Sequence, residues 1–184
     1  MANYKRVFED GYSYYITMVT HGRNPILVEN IALLRESFKQ SKKVFDYRID
    51  EIVVLPDHVH MIITPTVSVE YPKIIGYVKA YFSRHCDEKY FPEETQSFSR
   101  YQRRHKPIWQ KRYYEHTIRN EKDMWEKINY MQNNPVKHGL VETIEEWKYS
   151  SFQKNTRRVC NCTPKNQIKQ TIQYPKSNRR VCNC

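Results

Sequence analysis

Two histidines one residue apart, His58 and His60, stand in the run Leu55-Pro56-Asp57-His58-Val59-His60-Met61-Ile62-Ile63. Its branched and apolar residues predict a strand, in which alternate side chains share a face. His58 and His60 then point the same way, with Ile62 and Thr64 continuing their face, while Val59, Met61 and Ile63 point into a core. Imidazoles about 7 Å apart along one strand face can converge on a single cation. Two ligands hold a divalent ion weakly, so the pair needs a third. Taken alone it reads more simply as two surface histidines.

A second constellation is Asn129-Tyr130-Met131-Gln132-Asn133-Asn134-Pro135. At about 100° per residue, Met124, Ile128 and Met131 form the apolar stripe of a helix. Tyr130 falls about 120° from that stripe, on a flank with Asp123, Lys127 and Asn134. A tyrosine that only fills a core belongs on the stripe. Asn134 is stacked one turn from Tyr130, and a carboxamide oxygen there suits an oxygen-seeking cation such as Mg²⁺ or Mn²⁺. The plainer reading keeps both structural: Tyr130 is one of 15 tyrosines, and Asn134 before a proline is an ordinary helix end.

Binding chemistry is concentrated between residues 100 and 113. Arg100, Arg103, Arg104, His105, Lys106, Lys111 and Arg112 occur there without an acidic residue, interleaved with Tyr101, Trp109 and Tyr113. Cations for phosphates and rings for bases suit single-stranded or hairpin nucleic acid; a solvated basic loop is the bland alternative. The whole chain agrees with a polyanion partner, carrying a formal charge of +11 with 14% aromatic residues. Glu115 and His116 either support the site or simply pack and hydrogen-bond, the structural reading being preferred. Asp57 adjoins His58 as either a turn residue or a carboxylate support for it.

The elements that must position these groups follow from periodicity. Gly11 to Thr20 predicts a strand and Asn30 to Phe45 an amphipathic helix. Tyr47 to Leu55 and His58 to Thr64 predict a hairpin turning at Pro56-Asp57. A second helix is expected from Pro72 to Tyr90, and a fourth strand within Ile108 to Ile118. Asn120 caps a last helix, with Asp123 in capping-box position, and Pro135 is expected to stop it near Asn133. The order is the split β-α-β-β-α-β pattern of ferredoxin-like α+β folds, an antiparallel sheet with helices on one face, plus an appended helix. At 184 residues the chain accommodates one domain, placed at residues 1–152. Residues 153–184 form a polar tail in which Arg157-Arg158-Val159-Cys160-Asn161-Cys162 recurs as Arg179-Arg180-Val181-Cys182-Asn183-Cys184. Four thiolates there offer a zinc site, but Cys-x-Cys is tighter than usual, and incidental thiols are the simpler reading. No segment approaches the roughly 18–20 apolar residues of a membrane span, and a cytoplasmic protein is expected.

Five segments, in order, resemble the single-tyrosine HUH transposases, in particular the REP-associated tyrosine transposase branch. They are Tyr14-Tyr15-Ile16-Thr17-Met18-Val19-Thr20; Val53 to His60; Trp109-Gln110 with Tyr114-Glu115-His116-Thr117-Ile118-Arg119-Asn120-Glu121; Ile128 to Leu140, which holds Tyr-x-x-x-Asn-Pro-Val-Lys-His-Gly; and Trp147-Lys148-Tyr149-Ser150-Ser151-Phe152. The resemblance covers most of residues 10 to 152. It implies an HUH endonuclease on a ferredoxin-like scaffold. His58 and His60 match the metal-binding histidines, Tyr130 the nucleophile, and Asn134 the third ligand of an Mg²⁺ or Mn²⁺ ion. The implied substrate is single-stranded or hairpin DNA, cut and joined through a 5′-phosphotyrosine; a homodimer is left open. The rival is a non-catalytic nucleic-acid-binding module on the same scaffold.

Overall fold

The computed structural model describes residues 8, 10–91 and 108–152. The basic residues Arg100, Arg103, Arg104 and Lys106, and the tail with its cysteine repeats, lie outside the described residues. The elements run β1 (Tyr14–Val19), α1 (Ile31–Ser41), β2 (Tyr47–Val54), β3 (His58–Pro65), α2 (Tyr71–His85), β4 (Tyr114–Thr117) and α3 (Glu121–Lys137). The strands form one sheet in the order β2-β3-β1-β4, every neighbouring pair antiparallel. This is the expected split β-α-β-β-α-β arrangement.

Strand alternation divides the sheet into two faces. Tyr14, Ile16 and Met18 of β1 and Val59, Met61 and Ile63 of β3 bury one face against Leu34 and Phe38 of α1 and Ile74, Ile75, Val78 and Phe82 of α2. The two helices of the ferredoxin pattern thus share a face, as expected. The appended helix α3 covers the other face, where Met131 packs with Tyr15, Val53, Leu55, Ile62 and Ile118. This second face carries the histidines. Its outer border is completed by the chain after α3. Val54 N–H donates to the Tyr149 carbonyl at 2.8 Å and Ser151 N–H to the Ile52 carbonyl at 2.9 Å, while the Trp147 indole donates to the Val54 carbonyl at 3.0 Å.

The expected cap of α3 is present: the Asn120 side chain accepts from Asp123 N–H at 2.9 Å. Its expected end is corrected. The helix does not stop near Asn133 but runs through Pro135 to Lys137. A proline forfeits one backbone donor and crowds the preceding turn, which is tolerable two residues from a helix end. The real terminator is Gly139 at φ +67°. There Leu140 N–H donates to the Pro135 carbonyl at 3.0 Å and Gly139 N–H to the Val136 carbonyl at 2.9 Å, a Schellman closure that glycine adopts without steric cost. Among the described residues no helix is long and apolar enough to cross a membrane.

Candidate active site

The histidines follow the tight turn between β2 and β3. That turn is anchored to the exit of β1: Thr20 N–H and Thr20 Oγ1 both donate to the Asp57 carbonyl at 2.9 Å, and Leu27 N–H donates to the Pro56 carbonyl at 2.8 Å. In register, Thr17 lies opposite His60 and Val19 opposite His58. His58 and His60 are each only 4% exposed, and their ring centroids are 4.8 Å apart.

Each imidazole has one nitrogen occupied. Asp57 Oδ1 is 2.5 Å from His58 Nδ1. A carboxylate accepts, so Nδ1 carries the proton and the Nε2 lone pair is left for a ligand. The carboxyl of Asp57 is also held by Arg23 Nη1 at 3.1 Å. Burial alone would raise its pKa, but the His58 and Arg23 contacts outweigh that and bring it below the ordinary carboxylate value. Arg23 adopts φ +59°, a left-handed conformation that costs a non-glycine residue of order 1 kcal/mol. His60 Nδ1 lies 2.7 Å from the Tyr15 hydroxyl and 2.9 Å from that of Thr17. Its Nε2 is buried with no hydrogen-bond partner among the described residues. Burial, reinforced by His58 and His138, holds the His60 pKa down to about 3, so the ring is neutral and able to donate a lone pair.

Helix α3 brings the other half. Tyr130 is 46% exposed, and its ring centroid is 5.4 Å from His60 and 6.4 Å from Tyr15. One turn on, Asn134 is 1% exposed, with neither Oδ1 nor Nδ2 partnered among the described residues. One further turn on, His138 sits 5.3 Å from the His58 ring. Tyr130, Asn134 and His138 therefore share one face of α3, and Tyr130 and His138 meet the imidazoles. An unpartnered buried polar atom costs about 1–3 kcal/mol, and here such atoms belong to an imidazole and a carboxamide. Two imidazole nitrogens and a carboxamide oxygen are a donor set that would suit a divalent cation such as Mg²⁺ or Mn²⁺. Among the described residues no three His, Cys, Asp or Glu side chains converge as a metal cage.

The rings and imidazoles border an open cleft of about 690 Å³. Its walls include Arg23, Lys127, Lys137 and His138 against one acid, Glu126. Lys127, expected beside Tyr130, instead holds its ammonium 5.6 Å from the Tyr15 ring; Lys137 is the cation 5.7 Å from the Tyr130 ring. Of the residues expected to bind nucleic acid, Lys111 and Arg112 are exposed just before β4. Trp109 is corrected: it is 7% exposed and packs at 5.3 Å against Phe82 in the main core. It bridges to Thr20 beside β1, and a ring so covered offers no base a face. His116 is structural as expected, its Nε2 2.8 Å from both oxygens of Asp123, and Glu115 accepts from the buried Tyr71 hydroxyl at 2.6 Å. Tyr15, Thr17, Arg23, Lys137 and His138 had not been singled out. Alternation in β1 puts Tyr15 and Thr17 on one face, but their meeting with His60 depends on strand register. Lys137 and His138 were lost with the misplaced helix end.

The family model for IS200-like transposases matches residues 9–134. A Haemophilus influenzae protein described as a REP-associated tyrosine transposase is 34% identical over 161 residues, covering 85% of this chain and 89% of the relative. The REP-associated tyrosine transposase of Escherichia coli K12 is 29% identical over 160 residues, covering 86% and 87%. The solved structure of a REP-associated tyrosine transposase bound to a REP hairpin matches with a TM-score of 0.70 and 25% identity over the whole of both chains. With the sheet order, the paired imidazoles and the tyrosine helix in place, these matches show that the chain belongs to the IS200-like transposase family, in its REP-associated tyrosine branch.

Proposed function

We propose that this transposase cuts and rejoins single-stranded or hairpin DNA through a covalent 5′-phosphotyrosine on Tyr130. The observation that carries the reading is the approach of the half-exposed Tyr130 ring to His60, 5.4 Å between centroids, over buried ligand atoms that lack partners. His58, His60 and Asn134 are the residues that would hold Mg²⁺ or Mn²⁺. The ion, when bound, supplies positive charge to the scissile phosphate as the transition state forms.

Every other part falls to the chain. Asp57 keeps His58 in the tautomer that presents Nε2, and Tyr15 and Thr17 orient His60. The Tyr130 oxygen attacks phosphorus in line. A P–O(Tyr) bond forms, the bond from phosphorus to the 3′-oxygen breaks, the phenolic proton passes to water, and the departing 3′-oxygen takes up a proton. The phosphodiester energy is kept in the phosphotyrosine, so a different 3′-hydroxyl can attack it and restore DNA without ATP. Lys137, its ammonium 5.7 Å from the Tyr130 ring, supplies a cation for the phosphate that this oxygen attacks. Lys127, Lys111 and Arg112 supply phosphate contacts around the cleft.

The test is incubation with single-stranded hairpin DNA and Mn²⁺, followed by denaturing electrophoresis. The unmodified chain is expected to yield a covalent protein–DNA band and Tyr130→Phe none. Adducts in the phenylalanine variant would refute the assignment.

A further inference from the structure

Tyr114 opens β4 at the border of the sheet and is 57% exposed, more than Tyr130 itself. Burying an aromatic ring is favourable, and Tyr14 and Tyr71, on the opposite face, are wholly buried. Tyr114 is left bare in the cleft that holds the histidines. Its position there is fixed by register. Thr17 pairs with His60 on one side and with Tyr114 on the other, so the three side chains stand in one row across β3, β1 and β4, on one face. Tyr114 is therefore two strand spacings, about 10 Å, from His60. Its only ring contact among the described residues is with Tyr15, at 6.2 Å and 71° between planes, so no aromatic ring stacks on it. Lys127 lines the same cleft, and Lys111 and Arg112 precede it on the exposed approach to β4.

From this placement we infer that Tyr114 is a stacking platform for an unpaired base of the DNA strand, one nucleotide from the phosphate held over His58 and His60. It fills the role that the buried Trp109 cannot. A ring two strand spacings from His60 is within reach of the base adjoining the scissile phosphate, with Lys127 in the same cleft for a flanking phosphate. Stacking tolerates any base, so Tyr114 positions the strand and is not itself catalytic. The inference rests on the cleft being the DNA site, and its test is separable from the test of strand cleavage.

The test uses the full chain in the Tyr130→Phe background, so that only binding is read. Two fluorescent probes are compared at fixed salt: a twelve-nucleotide oligothymidylate, and a strand of equal length and charge built from abasic residues. Tyr114→Leu is expected to weaken the oligothymidylate about 5- to 150-fold, the span of one lost base stack, and to leave the abasic strand unchanged. Tyr114→Phe and Tyr114→Trp are expected to bind the oligothymidylate as Tyr114 does. Equal affinity of the leucine variant for oligothymidylate would overturn the inference. So would equal losses on both probes, which indicate a change in charge presentation or folding, or a phenylalanine variant as weak as leucine. Absence of covalent adducts in the unmodified chain would instead sink the cleavage reading while leaving these binding comparisons intact.

Discussion

A carboxylate bonded to the far side of an imidazole makes the near nitrogen a stronger lone-pair donor and fixes its direction. Asp57 does this for His58, whereas His60 is supported by two neutral hydroxyls. Asp57→Asn is therefore expected to lower Mn²⁺ affinity about 10- to 100-fold, read by titration of free Mn²⁺ with electron paramagnetic resonance. At His60 the supports are redundant. Tyr15→Phe or Thr17→Val alone is expected to lower affinity less than threefold, and the double variant about 10-fold or more; additive small losses would show that the two hydroxyls do not substitute for each other. The primary residues were legible because their signals are local: His-x-His on a strand, and a tyrosine off the apolar stripe with asparagine one turn away. Tyr15 and Thr17 were not, since nothing in the order of residues says which position of β1 faces which position of β3.

At the scale of elements, α3 owes its length to its closure. Gly139→Ala is expected to destabilise the chain by about 1 kcal/mol through the left-handed residue at the helix end, seen as a lower denaturation midpoint with an unchanged slope. The segment beyond α3 adds a titratable contact. Glu51 accepts a hydrogen bond from Ser151; burial, only partly offset by that bond and reinforced by Asp50, raises its pKa above the ordinary 4.5. An acid raised in the folded state contributes stability below its unfolded value and loses it as pH rises through the folded value. Glu51→Gln should thus match the parent chain near pH 4 and exceed its stability at pH 7, measured by urea unfolding at both. The elements themselves were readable from period: four strands, two core helices and the capped third. The end of α3 was misread because proline was weighed as a breaker, whereas the backbone closure four residues later decides it, and that depends on Gly139 and the carbonyls of Pro135 and Val136.

At the scale of the whole molecule, a net charge of +11 makes affinity for DNA a function of salt. Each phosphate contact removed from a single strand should reduce the slope of log affinity against log salt by about 0.7. Lys127→Gln combined with Lys137→Gln is therefore expected to flatten that slope by about 1.4, measured between roughly 50 and 200 mM salt; an unchanged slope would remove both lysines from the strand's path. The strand pairing of Tyr149 and Ser151 with residues 52–54 has a consequence for how the molecule behaves among its copies. A chain truncated after Val141 would expose the amides and carbonyls of β2 as a template for a neighbour's strand. Such a shortened protein should self-associate in a concentration-dependent way, visible by light scattering, with the histidine face still folded beneath α3.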